Sequence, residues 1–228
     1  MYVLRDKVFL HMVKTAGISV HQAINESNQP LLFNQRHLSI DCMPQRHRAL
    51  PRYTVIREPH KWYESFYNFY VAVGGFMSFM LNDLESDGYI HPIDINEFIR
   101  RSINLKDTLL KYPNKARVFN NILQTQGQAH FIDTYFESNI DPNDKSTYDQ
   151  FNISVFEWYY NATGCGSATN IPMSHLDDLA TIFKIKIGHQ NKNEKPQVAK
   201  LSLESIELIK KTHSKFYKII DDYIPLKP

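Results

Sequence analysis

Apolar and polar positions change period repeatedly along the chain, and the changes mark out its elements. "KVFLHMV" (7–13) is a continuous apolar run of strand length, and "GISVHQAINE" (17–26) then takes up helical spacing. The pair recurs: "YTVIR" (53–57) reads as a second buried strand and "PHKWYESFYNFYVAV" (59–73) as a helix opening on Pro59. Between them "PLLF" (30–33) has the look of a further strand end. Downstream, "INEFIRRSINLKDTLLK" (95–111) and "ARVFNNILQTQ" (116–126) have helical spacing. "FNISVFEW" (151–158) reads as a strand, and "SHLDDLATIFKIKIG" (174–188) as a helix running into another strand. The closing segment 202–223 predicts a helix capped by Ser202, with Ile206, Ile209, Phe216 and Ile220 on one stripe. Within residues 59–73, Trp62, Phe66, Phe69 and Val73 share a core-facing stripe, which leaves Tyr63, Tyr67 and Tyr70 on the other flank. Strands alternating with helices predict an α/β fold built on a parallel sheet with helices on both faces.

Composition narrows this picture. With 43% hydrophobic residues among 228, the chain can bury a substantial core, and with neither a repeat nor a flexible linker it reads as a single domain, 1–228. Lys and Arg outnumber Asp and Glu by only 26 to 24, so no global field favours nucleic acid or an anionic membrane as partner, and any anion site must be local. Cys42 and Cys165 are too few and too far apart for a disulfide framework or a zinc pair. No signal peptide or span of roughly 20 apolar residues is visible. A cytoplasmic protein is the expectation. Its oligomeric state is not specified by these patterns.

The candidate chemistry sits where the first strand gives way to the first helix. In an open α/β sheet ligands bind beyond the carboxyl ends of the strands. A helix starting near Gly17 offers unpaired N–H groups and a positive dipole end to an anion, Gly17 allows close backbone approach, and Lys14 adds a mobile charge. The order differs from a Walker P-loop, whose lysine follows its glycines. The second strand ends in Arg57, and Ser65 follows on the adjoining helix. A guanidinium fork and a hydroxyl there form a second phosphate clasp. Two anion sites imply a ligand phosphorylated twice.

These residues carry a family resemblance. "FLHMVKTAGIS" (9–19) resembles the 5′-phosphosulfate loop of sulfotransferases, F-x-H-x-x-K-T-G-G-T-S in the carbohydrate branch. "VIREPHKWYESFY" (55–67) resembles their 3′-phosphate motif, with Arg, Pro and Ser in register. The resemblance implies a P-loop-like three-layer fold with a central parallel sheet flanked by helices. It also implies 3′-phosphoadenosine 5′-phosphosulfate (PAPS) as donor, 3′-phosphoadenosine 5′-phosphate (PAP) as product, no metal, and a carbohydrate or small-metabolite acceptor. Residues Lys14, Thr15, Ala16, Gly17, Ile18 and Ser19 would hold the 5′ side, Arg57 and Ser65 the 3′ phosphate, and Lys192 and Lys195 the nucleotide. Two positions depart from the pattern. Ala16 replaces a glycine, which costs little if its φ is negative, and Ile18 replaces a threonine, leaving Ser19 as the hydroxyl donor. The chain begins close to the first motif, as a soluble rather than an anchored enzyme would.

Lys14 is placed to stabilise charge on the leaving phosphate. For the acceptor proton, His37 in "RHLSI" resembles the base-bearing segment of uronyl 2-O-sulfotransferases, and imidazole titrates near working pH. Glu26 and His47 are the alternatives. Two other functions fit the same elements: a P-loop-like kinase, for which Glu157 is the one weak Walker-B acid, and an inactive nucleotide-binding module that regulates a partner.

Overall fold

The computed structural model describes residues 1–34, 40–73, 83–84, 90–91, 93–111, 144–188 and 199–226. In chain order the elements are β1 (Tyr2–Leu4), β2 (Val8–Leu10), α1 (Gly17–Glu26), β3 (Leu31–Asn34), β4 (Arg52–Ile56) and α2 (Pro59–Val73). Then come β5 (Asp83–Leu84), β6 (Ile90–His91), α3 (Ile95–Ile103), α4 (Leu105–Lys111) and α5 (Val155–Ala162). Last are β7 (Thr169–Pro172), α6 (Leu176–Phe183), α7 (Leu203–Thr212) and α8 (Ser214–Asp221). They fall into two compact units. Met1–Glu58, Tyr159–Pro196 and Ser214–Pro228 form the first, and Pro59–Trp158 with Gln197–His213 the second.

The first unit holds a five-stranded sheet in the order β3-β1-β2-β4-β7. β2, β4 and β7 are parallel, with Leu10 opposite Thr54 and Ile56 opposite Pro172. The sheet as a whole is mixed, which corrects the all-parallel expectation. β1 and β2 are joined across Arg5 and Asp6, with Leu4 N–H donating to Lys7 C=O at 2.9 Å, and so short a connection permits only antiparallel pairing. β3 then pairs antiparallel to β1.

The strand pleat sorts the core into two faces. Tyr2, Leu4, Phe9, Val55 and Ile171 point to one side, where Val20 and Ile24 of α1 and Leu179 and Phe183 of α6 cover them. Val3, Val8 and Leu10 point to the other, against Met1 and Met43, with Ile40 and Leu50 packed alongside.

Residues 151–158 are not a strand. Their Val, Phe and Trp suit either state, but Ser154 caps a helix: its Oγ accepts the Glu157 N–H at 3.1 Å and donates to Glu157 Oε2 at 3.3 Å. The bond from the Glu157 N–H makes Ser154 an N-cap, and α5 follows it. "KIKIG" is likewise irregular, because α6 ends with Lys184 in the left-handed region at φ 52°. The strand in this part of the chain is β7, too short and polar to stand out. Its Pro172 is tolerated because β7 lies at the sheet edge.

In the second unit α2 runs over 59–73 as the sequence predicts, but its buried face is wider than one stripe. Trp62, Tyr63, Phe66 and Tyr67 are all buried while Phe69 is exposed, so Tyr63 and Tyr67 are core residues and not an open flank. Trp62 stacks on Phe66 at 4.5 Å and meets Phe156 edge-on at 5.1 Å. Tyr63 Oη lies 3.2 Å from His213 Nε2, and Tyr67 Oη donates to Ile93 C=O at 2.7 Å. Asp94 caps α3 by accepting from Asn96 N–H and Glu97 N–H. The predicted 95–111 helix breaks at Asn104 into α3 and α4. Ser202 caps α7 as expected, with its Oγ accepting from Ser205 N–H. The closing helix divides at His213, which is fully buried.

Candidate functional site

Because β2 and β4 are parallel neighbours, the chain leaves both at the same edge of the sheet. Lys14 follows β2 and Arg57 follows β4. They are close enough that Arg57 acts on the Lys14 ammonium, which is lowered to about 8, first by desolvation and then by the like charge of Arg57. Two half-buried cations are thus held together at the carboxyl ends of adjacent strands.

The loop between β2 and α1 has an alternating backbone. Lys14 (φ 63°) and Ala16 (φ 60°) are left-handed, and Thr15 between them is not. Two left-handed residues in one short loop are compatible with the concave N–H arrangement of an anion nest. Ala16 therefore does not have the negative φ that would make it an inexpensive replacement for glycine; it sits in the left-handed region and carries strain there. Thr15 is fully buried, and its Oγ1 donates to Met12 C=O at 2.8 Å, bracing the turn from inside. The first helical bond of α1 runs from Val20 N–H to Ala16 C=O, so the N–H groups of Gly17 and Ile18 have no acceptor within the helix. Ser19 is buried in the first turn, and the Ile18 side chain is exposed.

Gly17 is required by a neighbour that the sequence reading passed over. A Cβ at this position would overlap the imidazole of His11, which is 4% exposed. The signal was present in the sequence, since His11 is the histidine of "FLHMVKTAG", but its contact with Gly17 is tertiary.

The remaining predicted residues are distributed as follows. Ser65 is half-buried on α2 and belongs to the second unit, while Lys14 and Arg57 belong to the first. His37, Lys192 and Lys195 lie outside the described residues. Glu26 is the last residue of α1, exposed, with Oε1 accepting from Gln22 Nε2 at 2.7 Å. Nine residue steps put it roughly 13 Å along the helix from Gly17. His47 is buried, and its Nε2 lies 3.0 Å from Arg46 Nε, which donates to it. Glu157, the acid that a kinase would need after a strand, is instead the helix-start partner of Ser154. Among the described residues no group of three or more His, Cys, Asp and Glu side chains is placed to hold a metal ion, and no helix is long and apolar enough to cross a membrane.

No family model, no curated protein and no solved structure matches this chain.

Proposed function

We propose that this chain is a sulfotransferase that moves the sulfuryl group of PAPS to a hydroxyl or amine acceptor of carbohydrate or small-metabolite type. The observation that carries the reading is the Lys14–Arg57 pair. Two half-buried cations beyond the carboxyl ends of adjacent parallel strands put positive charge where an open α/β sheet takes its ligands. The alternating loop and the start of α1 add backbone donors at the same edge. The motif resemblance of residues 9–19 and 55–67 specifies which anion: a nucleotide with phosphate on both its 5′ and 3′ sides.

In this reading the donor supplies an activated sulfuryl group, and the protein supplies position and charge. Lys14 and the backbone from Thr15 to Ser19 hold the 5′ side, and the Lys14 ammonium stabilises negative charge as the phosphate leaves. Arg57 and Ser65 hold the 3′ phosphate, a contribution made by orientation. Lys192 and Lys195 cover the nucleotide, and His37 takes the acceptor proton.

The test is PAPS-dependent transfer across a panel of sugar, phenol, steroid and amine acceptors, read as PAP release and as product mass. Transfer should persist in chelator and fall by at least about 10²-fold in Lys14→Ala, the scale expected for removing a charge aimed at the transition state. An active Lys14→Ala variant overturns the mechanism, and the absence of transfer with tight PAP binding reassigns the chain to a regulatory nucleotide module.

A further inference from the structure

We infer that His11 is a positioning residue: its imidazole is a wedge between the end of β2 and the first turn of α1 that fixes the shape of the Lys14–Ala16 loop. The inference rests on the phosphosulfate-loop reading for its functional consequence, although the packing on which it is built stands independently.

The imidazole fills the volume that any side chain at Gly17 would need. It is held in place by aromatic neighbours. Phe9 lies parallel to it at 6.4 Å with 18° between the planes, and Tyr2 at 6.4 Å with 28°. Tyr2 in turn stacks at 4.9 Å on His21, one turn further along α1 than Gly17. The ring is therefore gripped from β1 and β2 on one side and meets the bare Cα of the helix start on the other.

That grip matters because of the loop it supports. Lys14 and Ala16 both occupy the left-handed region without being glycine. Such residues persist only where their surroundings over-determine the backbone. The Thr15 hydroxyl bond to Met12 supplies one constraint on the β2 side. The contact of His11 with Gly17 supplies the second, on the α1 side. With the wedge removed, the helix start loses its stop against β2 and the strained pair can relax, and Lys14 moves with it. A larger residue at Gly17 has the opposite geometric effect and the same functional one, pushing the first turn away. His11 and Gly17 thus act as a single device for setting the loop.

The experiment is a cycle of wild type, His11→Ala, Gly17→Ala and the double variant, with Leu179→Ala as a control that perturbs the same core away from the loop. PAP affinity is measured by calorimetry, KM and kcat with PAPS, and stability by thermal unfolding. Gly17→Ala is expected to weaken PAP binding by at least about tenfold, because displacements near an ångström carry penalties of this order or larger. The double variant should bind no worse than His11→Ala alone, since the new methyl enters the space the imidazole leaves. Leu179→Ala should lose thermal stability yet keep PAP affinity. Losses that multiply in the double variant, or an equal loss of affinity in Leu179→Ala, overturn the inference. If wild type binds no PAP, the sulfotransferase reading fails, and the unfolding midpoints of the same four proteins decide the wedge. Non-additive midpoints then uphold it, and additive ones remove it.

Discussion

Arg57 and Lys14, at the ends of neighbouring parallel strands, repel each other strongly enough that Arg57 contributes to holding the Lys14 ammonium down to about 8. Anion affinity should therefore fall as pH rises through about 8, because the folded protein loses the Lys14 charge there. Stability moves the other way. An unfolded lysine keeps its proton up to its ordinary 10.5, so between about 8 and 10.5 the unfolded chain binds more protons and folding becomes more favourable with rising pH. Arg57→Ala should shift the loss of PAP affinity to higher pH without restoring the ordinary value, since desolvation, the larger cause, remains. Calorimetric titration across this range checks it; an unmoved midpoint would show that Arg57 does not act on Lys14.

Ala16→Gly should stabilise the protein. The left-handed backbone at φ 60° costs alanine about 1–2 kcal/mol. Glycine gives back about 0.5–1 kcal/mol through the entropy of the unfolded chain. The net gain is about 0.5–1 kcal/mol, visible as a higher urea midpoint with an unchanged slope. A lower midpoint would mean that Ala16 packing outweighs its strain.

Tyr63→Phe and Tyr67→Phe remove the same atom from two settings. Tyr63 is fully buried and its hydroxyl faces His213, so deletion strips a buried imidazole of a partner and should cost about 1–3 kcal/mol. The Tyr67 hydroxyl is nearer the surface, where water can replace it on Ile93 C=O, and its loss should cost about 0.5–1.5 kcal/mol. Denaturant unfolding of both variants tests the ranking, and a reversed order would contradict the buried assignment of Tyr63.

His37→Ala should lower kcat by about 10² to 10⁴, the usual worth of a positioned base, with PAP affinity nearly unchanged. His47→Ala should leave kcat within a few-fold of wild type, because its Nε2 is already engaged by Arg46 inside the first unit. The acid limb of the rate profile should disappear only in the His37 variant. A large loss confined to His47 would transfer the role to that residue.

Much of this architecture is legible before folding. α1 and α2 match their predicted limits residue for residue, because Gly17 and Pro59 mark the starts and the apolar spacing carries the rest. Ser202 likewise announces its helix. Residues 151–158 mislead because Val155, Phe156 and Trp158 have strand propensity; the decisive signal was local and polar, Ser154 three residues before Glu157. β1 and β7, three and four residues long, are too short for periodicity to register. At the site, Lys14 and Arg57 could be read from the strand ends. The sign of φ at Ala16 and the partner of Gly17 could not, since both are settled by packing between elements distant in the pattern.

The order of the strands also sets how the sheet can be assembled. β1 and β2 meet across a two-residue turn, a contact of minimal loop entropy. β7 must return to β4 after the whole segment from α2 to α5 has been made. The hairpin is therefore the local half of the sheet, and the β4–β7 pairing the non-local half, which pays the larger loop-closure entropy. Until Thr169–Pro172 arrives, β4 presents an open row of backbone donors and acceptors. A growing chain emerging from the ribosome is most vulnerable there to pairing with another copy of itself. Once β7 docks, Pro172 closes that end of the new edge, because it has no N–H to offer a further strand.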